Sequence, residues 1–147
     1  MQIVEDPAGL GEALDLLHGR WFSAEGVLAD PETGTLTVSL ARRASEEPPF
    51  LERSRGWLYR RWSEPLRETL LRIRGVRDYV IQEGEWRLEA VGFHAGTVSV
   101  YAAEAPVIRA RVDALRLEVE ETPAVVGERV ESCTLGFLRR YTIRWTQ

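Results

Sequence analysis

The sequence predicts a mainly β fold, an antiparallel β-sandwich or β-barrel of about eight to ten strands built from hairpins, with one short N-terminal helix. From Phe22 onwards, apolar and polar residues alternate with a period of two, as they do on the two faces of a strand. Turn sequences separate the alternating stretches. No helical pattern of about 10–15 residues lies between them, which argues against an α/β sheet.

Length and composition limit the class of protein. A chain of 147 residues fits one domain, and 44% hydrophobic residues are too many for a disordered protein. No apolar run reaches the roughly 18 residues that a membrane-spanning helix requires. Residues 1–19 have neither the basic region nor the apolar stretch of a secretion signal, so we expect none.

The residue usage indicates a cellular setting. All nineteen basic residues are arginine, asparagine is absent, and Cys133 is the only cysteine. Poverty in chemically labile side chains is typical of a thermophile, although a GC-rich genome explains the excess of arginine equally well. A lone cysteine favours a reducing, cytoplasmic compartment. The net charge of −4 argues against a general nucleic-acid-binding protein.

A short amphipathic helix is predicted over residues 7–18. Asp6 is a good N-cap, Pro7 suits the first helical position, and Gly19 is a natural end. The apolar residues recur on one face: Leu10, Ala13, Leu14 and Leu17.

The first predicted hairpin surrounds the turn sequence Asp30-Pro31-Glu32-Thr33-Gly34. Folding residues 22–29 onto residues 35–42 places Leu28 opposite Leu36 and gathers the apolar side chains on one face. The agreement between register and hydrophobic pattern supports this pairing.

Two further hairpins follow from the same argument. The second pairs residues 86–93 with 97–102 around His94-Ala95-Gly96, with Leu88 and Ala90 on the face of Val98. The third pairs residues 107–112 with 115–120 around Asp113-Ala114, with Val112 opposite Leu115, Ala110 opposite Leu117 and Ile108 opposite Val119.

The remaining chain is less regular. Residues 57–62 and 67–74 are predicted strands with an interruption near Pro65, and residues 45–49 are a predicted loop. Pro123 is predicted to end a strand, the stretch 124–135 is ambiguous, and a terminal strand follows at residues 137–145.

Two short resemblances within the chain suggest a duplication. Residues 34–38 resemble residues 96–100 at an offset of 62, and residues 70–74 resemble 107–111 at an offset of 37. The two offsets differ by about the length of an insertion over residues 43–67. Chance resemblance between hairpins is an equally good explanation. We therefore predict one β-rich domain over residues 1–147, with the insertion as a hypothesis.

Catalytic and metal-binding residues are scarce. The sequence contains no nucleotide-binding, hydrolase or zinc motif, and we predict no cofactor. His94 with Glu89 is a conceivable metal site, and Cys133 with His18 or His94 a conceivable thiolate–imidazole pair. A polar residue at a hairpin tip and a buried, inert cysteine are the more ordinary explanations. Three carboxylates at a strand end are most simply a solvated face: Glu118, Glu120 and Glu121.

The most suggestive stretch is residues 53–62, where four arginines interleave with three large aromatic residues. Its predicted binding residues are Arg55, Trp57, Tyr59, Arg60 and Trp62. The plainest interpretation is a strand with its aromatic residues in the core and its arginines paired to Glu46, Glu47, Glu52 or Glu64. A protein interface comes second, because tryptophan, tyrosine and arginine are enriched there. Nucleic-acid binding comes third because the flanking glutamates weaken the positive field.

Three functions follow from these observations. The leading hypothesis is a non-enzymatic domain that acts through protein contacts with a partner or with itself, for example as a homodimer. The second is a small-ligand pocket lined by Trp57, Tyr59 and Trp86, with Arg60 or Arg139 meeting an anionic group. The third is a hydrolase-like enzyme that uses His94 or Cys133.

Overall fold

The structure is a computed structural model of the chain, and it describes residues 1–44 and 49–146. The described chain is mainly β, its sheets are antiparallel, and one short helix lies near the N-terminus, as the sequence predicts. The predicted loop at residues 45–49 lies outside the described residues except for Pro49, and so do Glu46 and Glu47.

Thirteen strands and one α-helix are present in the described ranges. In chain order they are β1 (Gln2–Val4), α1 (Leu10–Leu17), β2 (Trp21–Ser23), β3 (Val27–Asp30), β4 (Thr35–Arg43), β5 (Phe50–Arg55), β6 (Tyr59–Ile73), β7 (Val76–Ile81), β8 (Glu85–Arg87), β9 (Ala90–His94), β10 (Thr97–Ala102), β11 (Ala105–Val112), β12 (Leu117–Thr134) and β13 (Leu138–Trp145). Short 3₁₀ helices occupy Pro7–Gly9 and Ala24–Gly26.

The strands form two sheets. The larger sheet has nine strands, in the order β1-β12-β6-β4-β2-β8, with β13 beside β12, β3 beside β4 and β5 beside β6. The smaller sheet has the order β7-β11-β10-β9. Neither sheet closes on itself within residues 1–44 and 49–146, so the sandwich alternative is confirmed and the barrel alternative is wrong.

The chain forms two compact units. Unit 1 comprises Met1–Leu40 and Thr69–Thr122, and unit 2 comprises Ala41–Glu68 and Pro123–Gln147. The first segment of unit 2, Ala41–Glu68, covers nearly the same residues as the hypothetical insertion over residues 43–67. The single-domain organisation and the duplication stay predictions.

Unit 1 buries one apolar face of each sheet. The larger sheet contributes Phe22, Leu36, Val38, Leu40, Leu71, Ile73, Leu117 and Val119, the smaller sheet contributes Val98, Val100, Ala102, Val107, Ile108, Ala110 and Val112, and α1 contributes Ala13 and Leu17. Each large side chain that is fully buried stabilises the fold by about 1.5–3 kcal/mol. The period-two alternation therefore supplies the two inner faces of a sandwich.

The N-terminal helical segment begins at Pro7 as predicted and ends at Leu17, one residue before the predicted end. The Asp6 carboxylate accepts a hydrogen bond from the Ala8 N–H at 2.9 Å and caps the first turn. Gly19 follows the helix with φ +78°, a conformation in which glycine is favoured because it has no Cβ. The buried side chains Ala13 and Leu17 lie on the predicted face.

The first hairpin forms, but its register is one residue away from the prediction. Ala29, not Leu28, lies opposite Leu36, and Leu28 is 68% exposed. Asp30 pairs with Thr35, so the loop comprises residues 31–34 and is one residue shorter than the predicted loop of residues 30–34; Gly34 ends it with φ +65°. The 3₁₀ helix Ala24–Gly26 also interrupts the predicted strand. A shift of one residue turns every side chain of a strand to its other face, which explains the exposure of Leu28.

The second hairpin also forms, with a shorter first strand than predicted. His94 pairs with Thr97, so only Ala95 and Gly96 make the turn. Val98 lies opposite Phe93, whereas Ala90 lies opposite Tyr101 and does not share the face of Val98. The prediction that Ala90 shares the face of Val98 is therefore wrong.

The third predicted hairpin is wrong. β11 pairs with β10 and β7 in the smaller sheet, whereas β12 pairs with β1 in the larger one. The residues predicted to face inward are nevertheless all buried: Ile108, Ala110, Val112, Leu115, Leu117 and Val119. Apolar and polar residues alternate in the same way whether two strands pair within one sheet or lie on the two facing sheets of a sandwich. Alternation alone therefore cannot distinguish these two arrangements.

Two prolines that the sequence predicts as interruptions lie inside long strands. β6 runs through Pro65, and β12 runs through Pro123 to Thr134. Proline lacks only the N–H, so a strand accepts it where that group does not join the ladder. The carbonyl of Pro123 still accepts a hydrogen bond from Arg67 Nη1 at 2.8 Å. The ambiguous stretch after Pro123 is therefore strand.

The β10–β11 turn has no glycine although both of its residues are left-handed. Ala103 has φ +51° and Glu104 has φ +64°. The Glu89 carboxylate accepts hydrogen bonds from the Ala103 N–H at 2.9 Å and the Glu104 N–H at 3.3 Å. These two bonds stabilise a backbone conformation that is unfavourable for residues with a Cβ.

Glu118 is buried on the outer side of β12 and is not the solvated carboxylate that the sequence suggests. Its side chain is 8% exposed, and Arg74 Nε donates to its Oε2 at 2.9 Å. Arg74 Nη1 also donates to Thr35 Oγ1 at 2.8 Å. The hydrogen bond from Arg74, helped by the positive charges of Arg74 and Arg116, holds the pKa of Glu118 below its ordinary value despite the opposing effect of burial.

Replacing Ala103 by glycine should stabilise the protein by about 0.5–1 kcal/mol, because glycine removes the left-handed strain of this turn residue. Ala105→Gly is the matched control, since Ala105 is also exposed and begins the strand that follows. It should destabilise by about the same amount. Urea unfolding of both variants measures the two changes, and a loss of stability in Ala103→Gly would contradict the strain.

Glu118→Gln should lower the free energy of unfolding at pH 7 by about 1–2 kcal/mol, because Arg74 loses a charge-assisted bond that solvent partly screens. The pKa of Glu118 is lowered by folding, so its contribution is complete above the unfolded pKa of about 4.3 and disappears as the pH falls through the folded value. Urea titrations of both proteins across this range measure the difference. Glu120 is the matched control: its carboxylate lies 2.9 Å from Arg72 and its side chain is 42% exposed, so Glu120→Gln should lower the free energy of unfolding by less.

Candidate functional site

Unit 2 buries few apolar side chains among its described residues. Those that it buries are Ala41, Leu66, Val130 and Cys133. Its exposed large apolar side chains are more numerous: Phe50, Leu51, Trp57, Leu58, Val125, Leu135, Phe137, Leu138 and Tyr141. An apolar surface of this kind marks a candidate interaction site.

The hairpin β5–β6 ends in a turn that presents an aromatic side chain. Arg55 pairs with Tyr59, which leaves Gly56, Trp57 and Leu58 as the loop. Gly56 has φ +58°, and the Leu58 N–H donates to the Arg55 carbonyl at 3.2 Å. The turn leaves Trp57 67% exposed.

The hairpin β12–β13 ends in a turn of the same length. Thr134 pairs with Leu138, and Leu135, Gly136 and Phe137 form the loop. Leu135 has φ +57° and Gly136 has φ +78°. Phe137 is 71% exposed, so this turn also presents an aromatic side chain.

The two turns lie side by side in unit 2. The Leu135 N–H donates to the Leu58 carbonyl at 2.7 Å, and a Cβ added to Gly136 would lie 3.9 Å from Cε3 of Trp57. Together the turns form one apolar surface, the tip patch, which consists of Trp57, Leu58, Leu135, Phe137 and Leu138. These five side chains are between 43% and 71% exposed.

Arginines surround the tip patch. Four of them are exposed and have neither a carboxylate nor an aromatic partner in the described part of the chain: Arg55, Arg60, Arg139 and Arg140. Arg53 also has no carboxylate partner there, but it lies over the Tyr59 ring, 5.9 Å from the centroid. Other arginines of unit 2 are paired: Arg61 with Glu52 at 2.8 Å, Arg129 with Glu131 at 3.1 Å and Arg144 with Glu128 at 3.0 Å. The tip is therefore the cationic end of these two hairpins.

The formal charge differs between the units. Unit 1 has eight arginines and sixteen carboxylates, which gives −8, and unit 2 has eleven arginines and seven carboxylates, which gives +4. The two values together make the −4 of the whole chain.

The structure groups most of the predicted site residues at the tip. Arg55, Trp57 and Tyr59 belong to the turn or its first pair, and Arg60 follows directly. Trp62 lies further along β6, opposite Leu51, and is partly buried. The interpretation that placed Trp57 in the core is wrong. Of the carboxylates expected to pair with these arginines, Glu52 binds Arg61, whereas Glu64 binds Arg43.

The sequence analysis missed Leu135, Phe137 and Leu138. A repeated motif was the available signal, because Gly56-Trp57-Leu58 with Arg60-Arg61-Trp62 recurs as Gly136-Phe137-Leu138 with Arg139-Arg140-Tyr141. The two copies form the neighbouring turns.

The candidate catalytic residues do not come together within either unit. His18 and His94 belong to unit 1 and are exposed, whereas Cys133 belongs to unit 2 and is 8% exposed. Glu89, considered as a metal ligand beside His94, binds the backbone of the β10–β11 turn. Within residues 1–44 and 49–146, no group of three His, Cys, Asp or Glu side chains is placed to hold a metal ion.

Comparison of the chain with protein-family models, curated proteins and solved structures found no match. Among the helices that the structure describes, none is long and apolar enough to cross a membrane.

Leu135→Gly should be less destabilising than Leu138→Gly by about 1 kcal/mol, because glycine removes the left-handed strain only at position 135. The two leucines are 43% and 48% exposed, so they lose similar apolar contacts. Thermal and urea unfolding of the two variants measure the difference. Equal losses of stability would show that the turn at Leu135 is not held in the conformation described.

Proposed function

We propose that the chain is a non-enzymatic protein-interaction module that binds its partner through the tip patch. The observation that carries the proposal is the grouping of five large, exposed apolar side chains on two adjacent turns. Protein interfaces commonly have an apolar centre and a polar rim, with tryptophan and arginine among the residues that contribute most. The tip patch and its four arginines have this composition.

The size of the patch indicates weak or transient association. Each side chain is about half exposed, so its burial in an interface contributes about 1 kcal/mol, and the five together contribute about 5 kcal/mol. A dissociation constant of 1 μM corresponds to about 8 kcal/mol, after the loss of translational and rotational freedom. Contacts of the surrounding arginines with a negatively charged partner must therefore supply much of the affinity.

A protein partner agrees with the patch better than a nucleic acid does. Single-stranded nucleic acids bind to aromatic and arginine side chains on which the bases stack. Three of the five patch residues are leucines, which offer no flat face for stacking: Leu58, Leu135 and Leu138. Aliphatic side chains can gain close dispersion contacts with the apolar groups of a protein surface.

No contact of the described residues favours the small-ligand pocket or the enzyme, which stay predictions. Trp86, named for the pocket, belongs to unit 1 and donates its Nε1–H to the carbonyl of Gln82 at 3.2 Å. The cytoplasmic location stays a prediction as well.

A photoreactive benzophenone side chain introduced in place of Phe137 should form covalent adducts with protein in a lysate of the source cells. The same side chain in place of Val80 is the matched control, because Val80 is 65% exposed but lies in unit 1, outside the patch. Gel electrophoresis and mass spectrometry identify the adducts.

Excess unmodified chain should compete away adducts with a different protein, whereas the Trp57→Ser/Phe137→Ser chain should not. Adducts with a second copy of this chain should yield to both competitors, because the double variant keeps every surface outside the patch. Adducts with a different protein that both competitors remove equally, or the absence of adducts at position 137, would contradict a protein-binding role for the tip patch.

A further inference from the structure

We propose that the partner of the tip patch is a second copy of this chain, and that the patch binds the acidic edge of unit 1 in that copy. The inference rests on the proposed function and names the partner of the same site. Its basis is the match between the tip patch and one surface of unit 1 in both charge and apolar content.

One part of this surface is formed by two adjoining segments of unit 1. The Ala24 N–H donates to the Gly84 carbonyl at 2.9 Å, and Ser23 pairs with Glu85. These backbone contacts place Glu25 of the 3₁₀ helix beside Glu83, and both side chains are exposed.

The other part is β3 with the turn that follows it. Leu28 is 68% exposed because of the register of this strand, and Asp30 and Glu32 follow at the turn. Within the described residues β3 pairs only with β4, so its other side carries no strand. We define the acidic edge as Glu25, Leu28, Asp30, Glu32 and Glu83.

The acidic edge and the tip patch are complementary. None of the four carboxylates has an ion-pair partner among residues 1–44 and 49–146, and the four arginines around the patch likewise have no carboxylate there. Leu28 offers an apolar centre among the carboxylates, as the leucines and aromatic side chains do among the arginines. The tip patch therefore offers positive charges without carboxylate partners, and the acidic edge offers negative charges without ion-pair partners.

Charge also selects this pairing over a symmetric one. A tip-to-tip dimer brings two units of charge +4 together, and an edge-to-edge dimer brings two units of charge −8 together. Opposite charges attract over about 8 Å at physiological ionic strength, and screening by salt weakens this attraction. Contact between unlike units is thus the favoured mode, and low salt should strengthen it.

Binding of this kind is heterologous, because each copy contributes a different surface. A copy that uses its tip patch on one neighbour keeps its acidic edge free for another. The association should therefore continue beyond a dimer as the protein concentration rises.

Sedimentation velocity of the purified chain should show a mass that rises with concentration at about 50 mM salt and falls towards that of the monomer at about 500 mM. The tip variant Trp57→Ser/Phe137→Ser and the edge variant Glu25→Arg/Glu83→Arg should each remain monomeric at concentrations where the wild-type chain associates. Association should weaken at least tenfold in each.

An equimolar mixture of the two variants should form a 1:1 heterodimer, because the edge variant keeps an intact tip and the tip variant keeps an intact edge. Val80→Ser, with its change outside both surfaces, should associate as the wild type does. Circular dichroism and thermal unfolding verify that each variant is folded. Arg139→Glu/Arg140→Glu is the substitute if the first tip variant does not fold.

Two results would overturn the inference. An edge variant that still associates by itself shows a tip-to-tip contact, and a wild-type chain that remains monomeric at low salt shows that the partner is a different protein. The second result leaves the proposed function intact if position 137 still forms competable adducts, whereas the loss of those adducts removes both.

Discussion

Burial of one apolar face from each of two sheets is the constraint on which the structure of unit 1 depends. The side chains between the sheets are almost all aliphatic, so their removal from water provides most of the favourable free energy. Polar groups are left to the outer faces and the turns, where they have specific partners. Glu118 binds Arg74 on the outer side of β12, and Glu89 binds the amides of a strained turn. Unit 2 differs because many of its large apolar side chains remain in contact with solvent.

Alternation in the sequence predicts which residues are buried more reliably than it predicts which strands pair with one another. Ile108 and Leu117 are buried as expected, yet they lie on different sheets. The position of Leu28 depended on whether Asp30 belongs to the strand or to the turn, a difference of one residue that hydrophobicity does not reveal. The turn at Ala103 was not predictable from its own residues, because the carboxylate that stabilises it comes from an earlier segment of the chain.

Of the five side chains of the tip patch, only Trp57 is among the binding residues that the sequence predicts. The cluster of arginine and aromatic residues around Trp57 is visible in a window of ten residues, and the structure leaves Trp57 exposed. Phe137 lies 80 positions further along the chain, in a stretch that the sequence predicts only as a terminal strand. Only the pairing of β12 with β6 brings the two turns together. The repeated motif with glycine, an aromatic residue and leucine indicates a relation between the turns but does not place them side by side.

The position of Cys133 makes the stability of one part of unit 2 accessible to measurement. It is the only thiol of the chain, it is buried, and it pairs with Arg139, two strand pairs from the turn that carries Phe137. A thiol reagent reaches the sulfur only when the end of β12 opens. When opening and closing are fast relative to labelling, the modification rate reports the free energy of that local opening, separately from global unfolding.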